Sequence, residues 1–389
     1  MASLRLLMLN YEFPPIGGGG GQAHRSLLTQ YAQRSYLSVD VLTSAPSPAD
    51  TVEMLGENIR IHKVGIHKKH LHFWRKTEVL EWLRRAKGPY RRLLRDNTYD
   101  LVHAFFGFPS GWLCYRTARR LPYLISLRGS DVPGDNARLQ WEYKLLGPLV
   151  FKPIWKRAAA LVACSEGLKT RALRSMPSAQ IEVIPNGVDL ETFRPAPAAP
   201  RAQDQPLKLL TVGRLSATKR LNMLIEAVEH LRATGVEVKL DIIGGGALEA
   251  DLRQLLGRKQ LRDSVTLAGR RSAQEMPEIY RRHDMFVSAS SQEGMSNAML
   301  EAMASGLPIV TTRCEGLEEL IADNGVIVER SEADAIASAV KTLATDPAHL
   351  ARMAAAASAR AARFTWAAVA EQYLDQYQRI LDEARTGSA

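Results

Sequence analysis

Lys208-Leu209-Leu210-Thr211-Val212-Gly213-Arg214-Leu215-Ser216-Ala217-Thr218-Lys219 decides the fold. Its first half has the unbroken apolar character of a buried strand, ending in a glycine turn. Leu221 to Leu231 follows with helical spacing. Strand, glycine turn and helix in succession is the grammar of a parallel α/β sheet. Downstream, Val238–Ile243 is a strand ending in Gly244-Gly245-Gly246, and Val265–Leu267, Met285–Val287 and Pro308–Thr311 continue the pattern. Upstream, Leu4–Leu9 is a strand, Gly17–Gly21 a glycine turn, and about Gln22 to Gln33 a helix. Val39–Leu42, Asp100–Ala104, Tyr123–Leu127, Leu161–Cys164 and Ile181–Ile184 are further strands of that half. The prolines of Arg194-Pro195-Ala196-Pro197-Ala198-Ala199-Pro200 exclude helix and stiffen an extended linker. The expectation is an α/β chain of two Rossmann-like doubly wound domains, residues 1–194 and 207–365, joined by a linker at 195–206. A ligand cleft is expected between them, at the carboxyl ends of the strands.

The composition suits that size of structure. The chain has 389 residues, 46% hydrophobic and 24% charged, which is too long for one ordinary core and too apolar for disorder. No run approaches the roughly 18 apolar residues of a membrane span, and the Leu4–Leu9 run is too short for a signal-peptide core. Cys114, Cys164 and Cys314 are isolated, without metal or redox spacing, and are expected to be small buried apolar residues. A cytoplasmic location is expected. Charge is divided unevenly. Residues 1–195 carry 28 Lys and Arg against 16 Asp and Glu, leaving 23 against 25 for the remainder. The first half is therefore expected to meet something anionic.

Three stretches carry the chemistry. The Gly17–Gly21 run lets backbone N–H groups approach a phosphate at a helix start. It equally suits a mobile loop. A dinucleotide fold would want an acid at the end of the second strand, and Asp40 sits in mid-strand instead. Arg214 and Lys219 leave a strand end and enter a helix, where a guanidinium fork and an ammonium suit a diphosphate; solvated loop cations are the alternative. In Glu293-Gly294-Met295-Ser296-Asn297-Ala298-Met299-Leu300-Glu301-Ala302-Met303-Ala304-Ser305-Gly306, a Ser-Asn pair caps a helix between two carboxylates. Carboxylates accept hydrogen bonds from vicinal hydroxyls, and a helix N-terminus attracts phosphate. That suits a molecule with a sugar, a ribose and phosphates between them; a cap with a solvated Glu301 is the plainer alternative.

These residues resemble glycosyltransferase family 4. Glu293 and Glu301 match its E-x7-E element, and Gly213-Arg214-Leu215 with Lys219 its phosphate-binding segment. Ile184-Pro185-Asn186-Gly187-Val188-Asp189, with Ser165-Glu166 upstream, is similar to its interdomain string, and Ser305–Val310 to the turn and strand after the E-x7-E helix. The ordered set covers nearly the whole chain. The resemblance implies the GT-B architecture and a retaining, nucleotide-sugar-dependent transferase with no cofactor and no required metal. It assigns Arg214 and Lys219 to the diphosphate, Glu293 to the donor sugar and Glu301 to the ribose. Gly18, Gly19, Gly20, Gly213 and the groups of Gly294, Met295, Ser296 and Asn297 would complete donor binding. It also implies that a C-terminal helix, about 366–385 and carrying Trp366, Tyr373 and Tyr377, returns to the first domain. UDP is preferred over GDP as donor base. One departure matters. Many relatives carry a histidine before Gly-x-Asp, where this chain has Leu127-Arg128-Gly129-Ser130-Asp131. Arg128 is then a candidate for stabilising developing charge, or a structural partner of Asp131. His24, Asp131 and Asn186 are candidates on the acceptor side, and His24 equally suits an ordinary helix-end role.

Residues 60–95 hold twelve Lys and Arg against Glu78 and Glu81, interleaved with Leu71, Phe73, Trp74, Leu80, Trp82, Leu83 and Tyr90. Basic residues with exposed aromatics suit an anionic membrane or a phosphorylated lipid acceptor. A solvated helix with its aromatics turned inward is the alternative. The acceptor is a glycan, lipid-linked or small-molecule hydroxyl, with a role in cell-surface glycan, lipopolysaccharide or glycolipid biosynthesis and peripheral docking on the cytoplasmic membrane as the expectation. Nucleic acid is not an expected partner. The competing functions are a GT-B sugar-nucleotide epimerase or phosphorylase and, from another class, a non-catalytic basic membrane- or nucleic-acid-binding protein.

Overall fold

The computed structural model describes residues 3–71, 73–134, 147–196 and 205–386. They divide into two compact units, Met1–Asn186 with Trp366–Ala389, and Gly187–Thr365. The division falls at Asn186 and Gly187, ahead of the proline-rich stretch. Residues 197–204 of the expected linker lie outside the described residues.

The first unit is built on an eight-stranded sheet of β1 (Leu4–Leu9), β2 (Leu37–Ala45), β3 (Thr51–Leu55), β4 (Ile59–Gly65), β5 (Leu101–Phe105), β6 (Tyr123–Leu127), β7 (Ala160–Ala163) and β8 (Ile181–Val183). The spatial order is β3-β4-β2-β1-β5-β6-β7-β8. All pairings are parallel except β3 with β4. β5 and β6 are buried along their whole length, which is why they read as apolar runs without alternation. Strand order reverses between β1 and β5, and the loops leaving those two strands meet there. Helix α1 (Gly19–Tyr31) begins inside the glycine run, three residues before the expected start at Gln22, so Gly19, Gly20 and Gly21 form its first turn.

The β3–β4 hairpin corrects the reading of 60–95 as one basic segment. β4 alternates buried Ile59 and Ile61 with exposed Arg60, and its Lys63 ammonium is held by Glu53 at 2.6 Å. Helix α2 (Lys76–Asp96) buries Trp82, Ala86, Tyr90 and Leu93, one face at three- and four-residue spacing. Trp82 and Tyr90 therefore belong to the core rather than to an exposed aromatic surface.

The C-terminal helix Trp366–Thr386 belongs to the first unit and inserts two tyrosines into it. Tyr31 donates to the Tyr377 hydroxyl at 3.1 Å, which lies 2.6 Å from His103 Nδ1; His103 Nε2 lies 2.7 Å from Ser126 Oγ, and Ser126 Oγ 2.8 Å from the Tyr373 hydroxyl. Burial holds His103 well below its ordinary pKa, so the ring is neutral, one nitrogen donating and the other accepting. Tyr377→Phe keeps the ring's volume but leaves His103 Nδ1 and the Tyr31 hydroxyl without this partner. We expect a loss of roughly 2 kcal/mol or more, measured as a lower denaturant midpoint at unchanged slope.

The second unit has a wholly parallel six-stranded sheet of β9 (Leu207–Val212), β10 (Val238–Ile243), β11 (Val265–Gly269), β12 (Met285–Ser288), β13 (Ile309–Thr312) and β14 (Gly325–Val328). Its order, β11-β10-β9-β12-β13-β14, is that of a dinucleotide-type Rossmann sheet, with the reversal between β9 and β12. Leu209, Leu240, Val287 and Val310 of the sheet pack with Leu224, Val228 and Leu231 of the helix Leu221–Ala233 and with Ile336 and Val340. Cys114, Cys164 and Cys314 are free and buried. Among the described residues, no helix is long and apolar enough to cross a membrane.

Candidate active site

In the second unit, topology brings the motifs together. The loop leaving β9 carries Gly213, Arg214 and Lys219; the loop leaving β12 carries Glu293 and leads into the helix Asn297–Ala304. Because these strands flank the reversal, their loops lie side by side. Ser291 N–H donates to the Thr218 carbonyl at 2.9 Å, and the Lys219 ammonium is hydrogen-bonded to the Glu293 carboxylate. Gly244, at the end of β10, makes the crowding visible: at φ +142°, a Cβ there would stand 1.8 Å from the Gly213 carbonyl oxygen. Arg220, between Lys219 and the next helix, adopts φ 46°, ψ 43°, a conformation uncommon outside glycine. The Arg214 side chain is exposed.

Ser296 caps the Asn297 helix, its Oγ accepting from Met299 N–H at 3.3 Å. One turn further, Glu301 is partly buried, and the fully buried Tyr280 donates its hydroxyl to Glu301 Oε2 at 2.8 Å. Burial raises the Glu301 pKa to about 7 against that one stabilising hydrogen bond. The backbone of Gly294 and Met295 is backed by Gly316, at φ +76°, where a Cβ would lie 2.5 Å from the Gly294 oxygen. Gly213, Arg214, Lys219, Glu293, Gly294, Met295, Ser296, Asn297 and Glu301 thus share one end of one sheet. No group of three His, Cys, Asp or Glu side chains among the described residues could hold a metal ion.

The remaining candidates lie in the first unit, around its own strand reversal. Asp131 is buried and accepts from Gly107 N–H at 2.7 Å and Arg128 N–H at 2.9 Å, joining the loops after β5 and β6. Burial raises its pKa, opposed by those two backbone donors. It holds the backbone of Arg128 rather than its guanidinium. The guanidinium instead reaches Asn186 Oδ1 at 2.6 Å and lies 5.4 Å from the Phe105 ring centre. Phe106, with φ 70°, turns the chain beside it, and a Cβ on Gly20 would meet its ring at 2.7 Å.

The glycine loop uses part of its donor capacity internally. Gly18 N–H donates to Glu12 Oε2 at 3.2 Å and Gly17 N–H to the Leu71 carbonyl at 2.8 Å, leaving Gly19 the exposed member beside partly buried Gly20. His24 is fully buried beneath, stacked on Phe105 at 4.2 Å with Asn10 Nδ2 3.3 Å from its Nδ1. Burial, then the Arg128 charge, lowers its pKa to about 3. Its Nε2 is buried without a hydrogen-bond partner among the described residues. Sequence reasoning missed Tyr280, Glu12 and Phe106, and saw Tyr373 and Tyr377 only as features of a helix.

Two family models match consecutive halves of the chain: Glycosyltransferase Family 4 over residues 18–192, and Glycosyl transferases group 1 over residues 193–360. WcaL of Escherichia coli (strain K12), which bears the name of a colanic acid biosynthesis glycosyltransferase, is 36% identical over 169 residues, 41% of each chain. This chain therefore matches less than half of that relative's length. The D-inositol 3-phosphate glycosyltransferase of Kineococcus radiotolerans is 29% identical over 361 residues, covering 77% of this chain and 80% of that one. Among solved structures, sucrose-phosphate synthase from Thermosynechococcus elongatus superposes with a TM-score of 0.82 at 22% identity over 97% of this chain and 99% of the other. Anabaena HepE, solved with UDP-glucose, gives 0.75 at 18% over 97% and 100%. The paired Rossmann-like units and the superpositions give the GT-B fold, and glycosyltransferase models match both halves of the chain. Within that fold the first half of the chain resembles Glycosyltransferase Family 4 and the second half Glycosyl transferases group 1.

Proposed function

We propose that this chain is a family 4 glycosyltransferase that moves a sugar from a nucleotide-sugar donor, UDP in preference to GDP, to a hydroxyl acceptor, with retention of anomeric configuration and no metal requirement. The observation that carries the reading is the meeting of Lys219, Glu293 and the helix bearing Glu301 at the strand reversal of the second unit. Arg214 and Lys219 neutralise the diphosphate, work that a divalent cation performs elsewhere. Glu293 accepts hydrogen bonds from donor-sugar hydroxyls, and Glu301 from the ribose. Backbone groups of Gly294 to Asn297 line sugar and phosphate. The acceptor oxygen bonds to the anomeric carbon on the face from which the diphosphate departs, and its proton passes to the leaving phosphate. In the first unit, the glycine loop, Asp131 and Asn186 are assigned to the acceptor, with Arg128 at its reacting end. The names of the relatives support a place in glycan or glycoconjugate synthesis.

The direct test is NMR of the first-formed product from a panel of nucleotide sugars, with and without EDTA. We expect an unchanged anomeric configuration and undiminished activity with chelator. An inverted product removes the assignment, and turnover without any second hydroxyl-bearing substrate points to an epimerase instead.

The Glu301 pKa adds a pH signature. An ionised carboxylate accepts two ribose hydroxyls; a protonated one gives up an acceptor and introduces a competing donor. With a pKa of about 7, Glu301 is mostly protonated at pH 6 and mostly ionised at pH 8. Nucleoside affinity should fall about tenfold between pH 8 and pH 6. Calorimetry with the nucleoside avoids the phosphate's own titration. Glu301→Gln should flatten the profile, and Tyr280→Phe, which removes the hydrogen bond favouring the anion, should move its midpoint upward. The stability linkage runs the other way. The folded pKa lies above the unfolded carboxylate value, so this group's contribution is fully present at low pH and is lost as pH rises through about 7.

A further inference from the structure

We infer that the outer face of α2, with the described residues 66–71 and 73–75 that precede it, is a docking surface for an anionic phospholipid bilayer. The 21 residues of α2 span about 30 Å. Its outward stripe, at three- and four-residue spacing, is Lys76, Leu80, Arg84, Lys87, Arg91 and Arg95, all exposed. No acid lies on that stripe. Glu78 is buried, Glu81 is turned to His67 and Arg85, and Asp96, paired with Arg95, only closes the far end. Arg84, Lys87 and Arg91, flanked by Lys76 and by Arg95 with its Asp96 partner, form a linear charge array that suits a flat anionic surface.

At the near end of the stripe, the loop presents apolar side chains and is braced to do so. Buried Glu78 accepts from the Lys68 ammonium at 2.6 Å, from Lys69 N–H at 3.0 Å and from Arg75 N–H at 2.9 Å. The Lys68 ammonium also donates to the Phe73 carbonyl and lies 4.1 Å over the Trp74 ring. The Leu71 carbonyl is tied to Gly17 N–H. These bonds consume Lys68 and half-buried Trp74 internally, while Leu71 and Phe73 remain 42% exposed and Leu80 58%. Exposed Leu and Phe side chains beside a cation row gain nothing from water and fit the headgroup–acyl boundary. A nucleic acid would reward the cations and could stack on Phe73, but would gain nothing from aliphatic Leu71 and Leu80, and Trp82 and Tyr90 are buried. Docking here also sets the interface next to the glycine loop, through the Gly17–Leu71 bond. The inference does not depend on the chemistry proposed above.

The test is co-sedimentation of the full chain with phosphatidylcholine vesicles, with and without roughly 30% phosphatidylglycerol, at roughly 0.1 and 0.5 M salt. One variant carries Lys76→Gln, Arg84→Gln, Lys87→Gln and Arg91→Gln; a second carries Leu71→Ser, Phe73→Ser and Leu80→Ser. Unchanged thermal midpoints and nucleoside diphosphate affinity confirm that both variants fold. Wild type should bind the anionic vesicles only. The charge variant should lose about a hundredfold or more in partitioning, and the apolar variant about tenfold, including at high salt. The proposal is overturned if wild type stays in the supernatant at low salt, or if the charge variant binds as wild type does. It is equally overturned if duplex DNA displaces the protein from vesicles while the apolar variant binds normally, which would make the stripe a polyanion site of another class.

Discussion

Glu293→Ala should lower turnover up to about a hundredfold with donor affinity nearly unchanged, and Glu301→Ala should do the reverse. The two carboxylates lie on one motif but in different settings. Glu293 is on the loop after β12, hydrogen-bonded to the Lys219 ammonium, and is proposed to meet the transferring sugar. Glu301 is on the following helix, held by Tyr280, and is proposed to meet the ribose, which does not change during reaction. A hydrogen bond to a charged group is worth about 1.5–3 kcal/mol, or roughly ten- to hundredfold. Spent on the reacting sugar, it appears in kcat; spent on the ribose, it appears equally in ground and transition states and so in binding. Glu293→Ala also frees Lys219 to serve the diphosphate alone, which works against any loss of donor affinity. Single-turnover rates and calorimetric Kd values for both variants separate the two effects. Near-wild-type kinetics for both, with normal folding, would remove these residues from the site.

The doubly wound architecture was legible because parallel strands buried on both faces leave unbroken apolar runs, as in Leu101–Phe105 and Tyr123–Leu127. The β3–β4 hairpin was not. β3 is an edge strand with Val52 and Met54 60% and 54% exposed, and its polar neighbours carry no continuous apolar signal. Short β14 was missed for a related reason: three of its four residues are only partly buried.

At the site, the motif residues could be read because each brings a distinctive side chain at fixed spacing. What supports them could not. Tyr280 and Glu301 are 21 residues apart, and Arg128 and Asn186 are 58 apart; only folding makes each pair neighbours. Asp131 illustrates the limit well. Its proximity to Arg128 in sequence suggested an ion pair, but each of its carboxylate oxygens accepts a backbone N–H, from two different loops. The basic segment shows the same limit for surfaces. Counting cations located it, whereas knowing that Lys63 and Lys68 are committed to Glu53 and Glu78 required the fold.

Arg214→Ala and Lys219→Ala should each weaken nucleoside diphosphate binding about ten- to hundredfold while leaving nucleoside binding within about twofold, because a phosphate-directed cation has nothing to offer a neutral base and ribose. The two losses should not be of one kind. Arg214 is exposed, so its removal subtracts one set of contacts and little else. Lys219 also holds Glu293 within the site, with both side chains mostly buried. Its removal leaves a carboxylate facing the incoming phosphates without its cation, adding repulsion to lost attraction. Lys219→Ala should therefore be the more damaging, and Lys219→Ala combined with Glu293→Gln should recover part of the lost diphosphate affinity. The double variant Arg214→Ala, Lys219→Ala tests whether both cations serve one ligand. Residues five apart on one loop that share a diphosphate should depart from additivity. Calorimetry with diphosphate and nucleoside on each variant decides it. An equal loss for both ligands would place these side chains away from the phosphates, and no recovery from Glu293→Gln would separate Lys219 from Glu293 in function despite their contact.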